Sequence, residues 1–317
     1  MYDAIALGEL LIDFACISQD EDGYPTLAAH PGGAVTNFLA AISKFGGRTA
    51  LIGKVGTDTF GNLLKGTLEK IGIDARGIVS ADDVFTTLAF VTFDAHGDRA
   101  FSFSRKPGAD TRISIDEIDL SMIDDSKIFH FGTLSLTDEP AKEATVRCIE
   151  YAKAKGKLIT FDPNLRKPLW RSLEDAKKQM EWGLAQADVV KISDDEVDFL
   201  WGLTPEQGAK KLLDDFGVKL AFVTCGAEGC FFQNKNACGM VPSLSGLKVI
   251  DTCGAGDIFG GSAVWKMLQT GKAPDELEKH ELEDIVRFAC TSSGLSTQRS
   301  GGASSIYSLE EILAVSR

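Results

Sequence analysis

Short apolar segments alternating with helical stripes constrain this chain more than any other feature. Residues 4–7, 49–52, 128–131, 158–161, 189–192 and 220–224 are apolar runs of the length of buried strands. Between the first two, Val35, Phe38, Leu39, Ile42 and Phe45 recur at i, i+3, i+4, i+7 and i+10. That period predicts a helix over 34–45, stopped by Gly46-Gly47. Phe60, Leu63, Leu64, Leu68 and Ile71 predict the next helix, stopped by Gly72. Further helices fall between the later strands, and one closes the chain over 309–315. Repeated βα units require a largely parallel sheet covered on both faces.

Two stretches break this rule. Residues 12–29 and the pair 86–94 and 99–104 alternate like half-exposed strands, and 95–98 supply a turn between the latter two. Such a patch can pack as a small sheet at the mouth of a site. The expected organisation is an α/β core of 1–11, 33–84 and 108–317, with a β lid of 12–32 and 85–107. An ordinary surface excursion is the other reading.

The chain's 317 residues, 44% hydrophobic, suffice for a large core. Its net charge of −13, with no Lys/Arg run, argues against nucleic acid as a partner. No apolar run reaches the roughly 18 residues of a membrane span, and no basic leader is evident. Seven cysteines without a C-x-x-C pair read as reduced thiols of a cytoplasmic protein. The four histidines make no metal spacing, and His130 lies in an apolar run that marks it as a core residue.

Chemistry concentrates in Asp251-Thr252-Cys253-Gly254-Ala255-Gly256-Asp257, which leads into a predicted helix over 258–268. A helix start offers backbone N–H groups and a positive dipole end, and glycines let a phosphate approach them. Asp257 then stands where a base takes a proton from a hydroxyl attacking phosphorus, so the pattern points to phosphoryl transfer. A Gly-rich helix cap is the alternative. Gly32-Gly33 precedes the 34–45 helix, and Asn37 follows one turn in, with an amide suited to a polyol. Asp13 follows the first strand and can accept sugar hydroxyls. Asn164 and Arg166 end the strand 158–161, where ligands of open α/β sheets bind. Lys191, Ser193 and Glu196 sit at the next strand–helix junction. There Glu196 can reach Mg²⁺ through water or simply serve a helix start. Thr224, Gly226 and Gly229 follow another strand and can pass under a nucleotide. No G-x-x-x-x-G-K-[ST] or H-R-D occurs, which excludes a P-loop and the protein-kinase machinery.

With these residues in place, the chain resembles the ribokinase-like sugar kinases, the PfkB family, over nearly its whole length. Residues 31–37 look like the family's first signature and 251–257 like its second. Phe101, Phe103, Arg105, Pro107, Gly108, Ala109 and Asp110, with 161–170, look most like the bacterial fructokinase branch. The resemblance implies a ribokinase-like sandwich with a small β lid. It also implies ATP-dependent phosphorylation of a sugar's primary hydroxyl, fructose to fructose 6-phosphate before other acceptors. Kinases for 2-keto-3-deoxygluconate, ribose, aminoimidazole riboside or another nucleoside share the signatures, and a catalytically silent regulator is the reading outside catalysis.

On this resemblance Asp257 is the base, and the amides of Gly254, Ala255 and Gly256 form the anion hole. Asp13, Gly32, Gly33, Asn37, Asn164 and Arg166 hold the sugar, with Phe103 and Arg105 closing from the lid. Lys191, Ser193, Glu196, Thr224, Gly226 and Gly229 line the nucleotide, and Mg²⁺ sits near Glu196. Asp251 and Thr252, with the 300–305 loop, match a monovalent-cation site for K⁺. Pairing of two lids would give a homodimer. Three departures stand out: Ser193 for the family's Asn, Cys253 for the commoner Thr, and a tail loop without its closing proline.

Overall fold

The apolar runs pair into one sheet because both of its faces are covered. The computed structural model describes residues 1–93 and 99–316. Its strands are β1 (Tyr2–Leu7), β2 (Leu11–Gln19), β3 (Pro25–Gly32), β4 (Thr49–Gly56), β5 (Ile73–Ala81), β6 (Leu88–Phe93), β7 (Arg99–Ser104), β8 (Ser126–Gly132), β9 (Leu158–Asp162), β10 (Val189–Ser193), β11 (Leu220–Thr224), β12 (Cys230–Asn234) and β13 (Cys238–Val241). The helices are α1 (Ala34–Lys44), α2 (Thr59–Ile71), α3 (Ser121–Asp124), α4 (Ala141–Ala154), α5 (Leu173–Leu184), α6 (Asp194–Trp201), α7 (Pro205–Phe216), α8 (Ala255–Thr270), α9 (Lys279–Ser296) and α10 (Leu309–Val315).

Nine strands form the main sheet in the order β13-β12-β11-β10-β9-β8-β1-β4-β5. Strands β11 through β5 along this order run parallel, whereas β12 and β13 join antiparallel. The period of two along β1 divides the core. Ala4 and Ala6 face the layer of α1, α8 and α9, while Ile5 and Leu7 face the layer of α4, α5 and α7. A second sheet of four strands, in the order β3-β2-β6-β7, stands apart from the first. In it β2 pairs antiparallel with β3 and parallel with β6, and β6 pairs antiparallel with β7. This is the ribokinase-like sandwich with an additional small sheet. The turn expected over 95–98 lies outside the described residues.

Three strands were not anticipated from the sequence. Asp74 and Arg76 interrupt the apolar run of β5, an edge strand in which only Ile73, Ile78 and Ala81 are buried. Strands β12 and β13 form a short antiparallel hairpin at the opposite edge. The stretch 12–29 resolves into β2 and β3, whose connection is closed by Asp20, its carboxylate accepting from the amides of Asp22 and Tyr24. Among the described residues no helix is long and apolar enough to cross a membrane.

The packing that positions the site is the crossing of α1 over α8. A Cβ on Gly261 would lie 2.2 Å from the carbonyl oxygen of Phe38 and 2.9 Å from Cβ of Ala41, so glycine sets the closeness of the two helices. Both helices bury their contact faces, with Phe38 and Phe259 in the same core cluster. Gly261→Ala is expected to destabilise the fold by roughly 1–3 kcal/mol through overpacking against backbone. Urea unfolding measures this, and an unchanged midpoint would show that the crossing has slack.

Candidate active site

The start of α8 is a backbone device. Gly254, its N-cap, has φ of 74°, a left-handed conformation that glycine adopts without steric cost. A side chain there would also meet Asn37 Nδ2 and Gly302 Cα, both at 2.9 Å. The turn brings Gly256 and Asp257 into the first turn of a 16-residue helix, with the dipole and unbonded amides that favour an anion. Asp257 is buried at 8% exposure, and its Oδ2 accepts a 3.0 Å hydrogen bond from Nδ2 of Asn37. The two sequence signatures, 220 positions apart, thus meet in one bond.

Two cavities open on either side of this turn. The first, of about 420 Å³, is lined by Asp13, Gly33, Asn37, Phe103, Asn164, Arg166 and Asp257 together with Glu9. The second, of about 610 Å³, is lined by Thr224, Gly226, Gly229 and Ala255, with apolar wall from Leu244, Leu247, Val249 and Phe259. Lys191, Ser193, Thr252 and Gly256 line both. A ligand in one cavity therefore meets a ligand in the other at the N-terminus of α8.

Asp13 lies within β2 rather than in a turn, opposite His30 of β3. Its carboxylate rests on Gly32, where a Cβ would come within 2.1 Å of Oδ2. Gly32 therefore backs Asp13 and does not itself line the cavity. Burial pushes the Asp13 carboxyl up to about 6, opposed by Arg166 and assisted by Asp257 and Asp251. Asn164 holds φ of 45°, unusual for a residue with a side chain, and its amide donates to Oδ1 of Asp162 at 3.2 Å. Asp251 Oδ2 accepts from Gly301 N at 3.1 Å and Ser300 Oγ at 3.2 Å, and Oδ1 from Cys253 N at 2.9 Å. The carboxylate thus ties the glycine turn to the tail loop.

Two of the expected residues are already engaged within the protein. Arg105 does not line the cavity. It is 4% exposed, and its guanidinium donates to Asp110 Oδ2, Thr137 Oγ1 and the carbonyl of Leu134 at 2.7–2.8 Å. A buried cation needs a full set of acceptors, and this network supplies it. Glu196, expected near Mg²⁺, spends both carboxylate oxygens on backbone: Oε1 accepts from Leu165 N at 2.7 Å and Oε2 from Ser193 N at 2.9 Å. With Ser193 Oγ accepting from Glu196 N it makes a capping box at the start of α6. His130 is a core residue, stacked on Phe38 with ring centroids 3.7 Å apart, and burial lowers its pKa to about 3.

Glu9 is a residue that sequence reasoning passed over. It ends β1's turn, is 2% exposed, lines the first cavity, and its Oε1 accepts from Ala34 N at 2.6 Å. It caps α1 from outside that helix, because Gly33 has no side chain to do so. A carboxylate directly after a buried strand and glycine was the available signal.

A family model described as pfkB family carbohydrate kinase matches residues 1–308. Fructokinase-2 of Solanum lycopersicum is 37% identical over 317 residues, covering 98% of this chain and 95% of the relative. A crystal structure of fructokinase with bound ATP from Xylella fastidiosa is 30% identical with a TM-score of 0.90, covering 99% of this chain and 98% of that one. A fructokinase from Vibrio cholerae O395, in a form with fructose, ADP and calcium ion bound, is 27% identical with a TM-score of 0.86, covering 100% of this chain and 99% of that one.

Burial pushes the Glu9 carboxyl from 4.5 up to about 7, against the pull of the Glu9 and Ala34 amides, with Asp110 raising it and Arg105 lowering it. Between those pH values the folded chain holds a proton that the unfolded chain has lost, so this contribution to stability is present below about pH 4.5 and lost as pH rises through about 7. Glu9→Gln keeps an acceptor for Ala34 N and removes the titration. Urea unfolding across this window is expected to show the variant gaining on the parent, by on the order of 3 kcal/mol at the alkaline end. Parallel stability curves would contradict the shift.

Proposed function

The chain belongs to the pfkB family of carbohydrate kinases, and we propose that it transfers the γ-phosphoryl group of ATP to the primary hydroxyl of fructose, giving fructose 6-phosphate. The observation that carries this reading is Asp257, a buried carboxylate in the first turn of α8 at the meeting of two cavities. The choice of fructose is supported by the names of the relatives, fructokinases of Solanum lycopersicum, Xylella fastidiosa and Vibrio cholerae.

In this reading the sugar occupies the smaller cavity. Asp13, Asn164 and Arg166 bind its hydroxyls, Gly33 allows close approach, and Phe103 covers it from the second sheet, which acts as the lid. ATP occupies the larger cavity along Thr224, Gly226 and Gly229, with its phosphates between Lys191 and Ser193 and the start of α8. Asp257 takes the hydroxyl proton as the oxygen–phosphorus bond forms. The bond from phosphorus to the bridging oxygen of ADP breaks, and ADP leaves. Charge on the transferring group falls on the amides of Gly254, Ala255 and Gly256. Asn37 orients the base through the Asp257 hydrogen bond, and a dry cavity strengthens each of these terms.

Among the described residues no group of three or more His, Cys, Asp or Glu is placed to hold a metal ion. In this reading Mg²⁺ arrives on the phosphates, and Glu196 reaches it through water. When bound, Mg²⁺ neutralises phosphate charge. The link from Asp251 to Ser300 and Gly301 supports reading Asp251 and Thr252, with the 300–305 loop, as a K⁺ site. Ile17 on β2 and Tyr24 in the β2–β3 connection stand exposed, where a homodimer through the second sheet would cover them.

Asp257→Asn is expected to lower kcat by several orders of magnitude while sugar affinity stays within a few-fold, since the amide keeps the site's shape and loses the base. Steady-state kinetics with calorimetric sugar binding measure both. Near-normal turnover would remove Asp257 from the role of base. The acceptor is settled by rates across fructose, ribose, 2-keto-3-deoxygluconate, aminoimidazole riboside and other nucleosides, with and without K⁺. Fructose is expected to give the highest kcat/KM.

A further inference from the structure

We propose that Asp162 is a positioning residue for phosphoryl transfer: its carboxylate, lying outside both cavities, holds Lys191 Nζ at their junction and ties it to the loop that carries Asn164 and Arg166. The inference rests on the kinase reading above and assigns it a residue that touches neither substrate.

The backbone makes the pair. β9 and β10 are parallel neighbours, with Val189 opposite Thr160 and Val190 opposite Phe161. Asp162, the last residue of β9, and Lys191, midway along β10, follow directly. Lys191 Nζ lies 2.9 Å from Asp162 Oδ2, and the two side chains are 12% and 8% exposed. The other oxygen of the same carboxylate accepts the amide of Asn164 at 3.2 Å. One buried group thus links the cation to the strained loop beside the sugar cavity. Lys191 lines both cavities, and a Cβ on Gly256 would lie 2.9 Å from its Nζ. The ammonium therefore stands at the glycine turn, where charge develops on a transferring phosphoryl group.

Five titratable groups interact with this lysine: Asp162 from β9, Glu196 from α6, Asp257 from α8, His130 from β8 and Cys230 from β12. Glu196 is held by the amides of Leu165 and Ser193, and Asp257 by Asn37. Asp162 makes the direct ion pair. Burial works against the lysine's charge, but Asp162, Glu196 and Asp257 outweigh it and hold its pKa above the ordinary 10.5. The pair also selects one conformer of a flexible four-carbon stem.

The test compares the parent with Asp162→Asn, Lys191→Met and the double variant. Asparagine keeps a carbonyl for the Asn164 amide and removes the charge. Asp162→Asn is expected to lower kcat roughly 10- to 100-fold with sugar KM nearly unchanged, and to bring an alkaline limb into the kcat profile as Lys191 deprotonates earlier. The double variant should be no slower than Lys191→Met. Nuclear magnetic resonance titration of protein carrying ¹³Cε-lysine, with Lys191→Met assigning the signal, reads the same coupling without turnover. Lys191 should titrate above 10.5 in the parent and at lower pH in Asp162→Asn. Parental kcat in Asp162→Asn, losses that multiply in the double variant, or a parental Lys191 that titrates below 10.5 would overturn the proposal. The parental titration decides even if Asp162→Asn fails to fold. A parent that phosphorylates no sugar would refute the kinase reading instead, leaving the titration to judge the Asp162–Lys191 coupling separately.

Discussion

The hydrogen bond from Asn37 to Asp257 depends on the close crossing of α1 over α8, and the rest of the site depends on that bond. The two residues belong to helices far apart in sequence, one leaving the second sheet and one leaving the tail of the main sheet. Glycine at 261 allows the helices to approach, and glycine at 254 lets the chain turn into α8 against the Asn37 amide. A larger residue at either position would push Asp257 away from the mouth of the sugar cavity. The sheet supplies the platform, because β9, β10 and β11 all end at this level and present Asp162, Lys191 and Thr224 there.

The electrostatic design is local. The chain carries a net charge of −13, yet the junction between the cavities holds a buried lysine and a helix N-terminus. The acids around them have separate tasks. Glu9 caps α1, Asp13 rests on Gly32, Asp251 holds the tail loop, and Glu196 caps α6. Burial raises the carboxyls of Glu9 and Asp13.

Much of this was legible in the sequence because it follows from period and backbone chemistry. The apolar runs and the 34–45 stripe became parallel strands and α1, since burial on both faces leaves a plain signature. The glycine turn before Asp257 likewise needs only local reasoning. Edge strands were less legible, as β5 mixes Asp74 and Arg76 into its run and needs only one covered face. Arg105's partners were not legible because a motif states which residues occur and not which way they point. Its partners Leu134 and Thr137 lie some 30 positions away, and no spacing rule connects them. Glu196 shows the reverse: the capping reading was available from S-x-x-E alone, and the backbone claimed both oxygens. The Asp162–Lys191 pair depends on strand order, which no local pattern encodes.

The account's central claim is transfer of phosphorus from ATP to a sugar hydroxyl at the start of α8. Phosphorus magnetic resonance on a reaction of the purified protein with ATP, Mg²⁺ and ¹³C-labelled fructose tests it most directly. The account predicts a phosphomonoester signal coupled to carbon 6, growing in step with ADP. Inorganic phosphate as the sole product, or a phosphoryl group on another carbon, would contradict it.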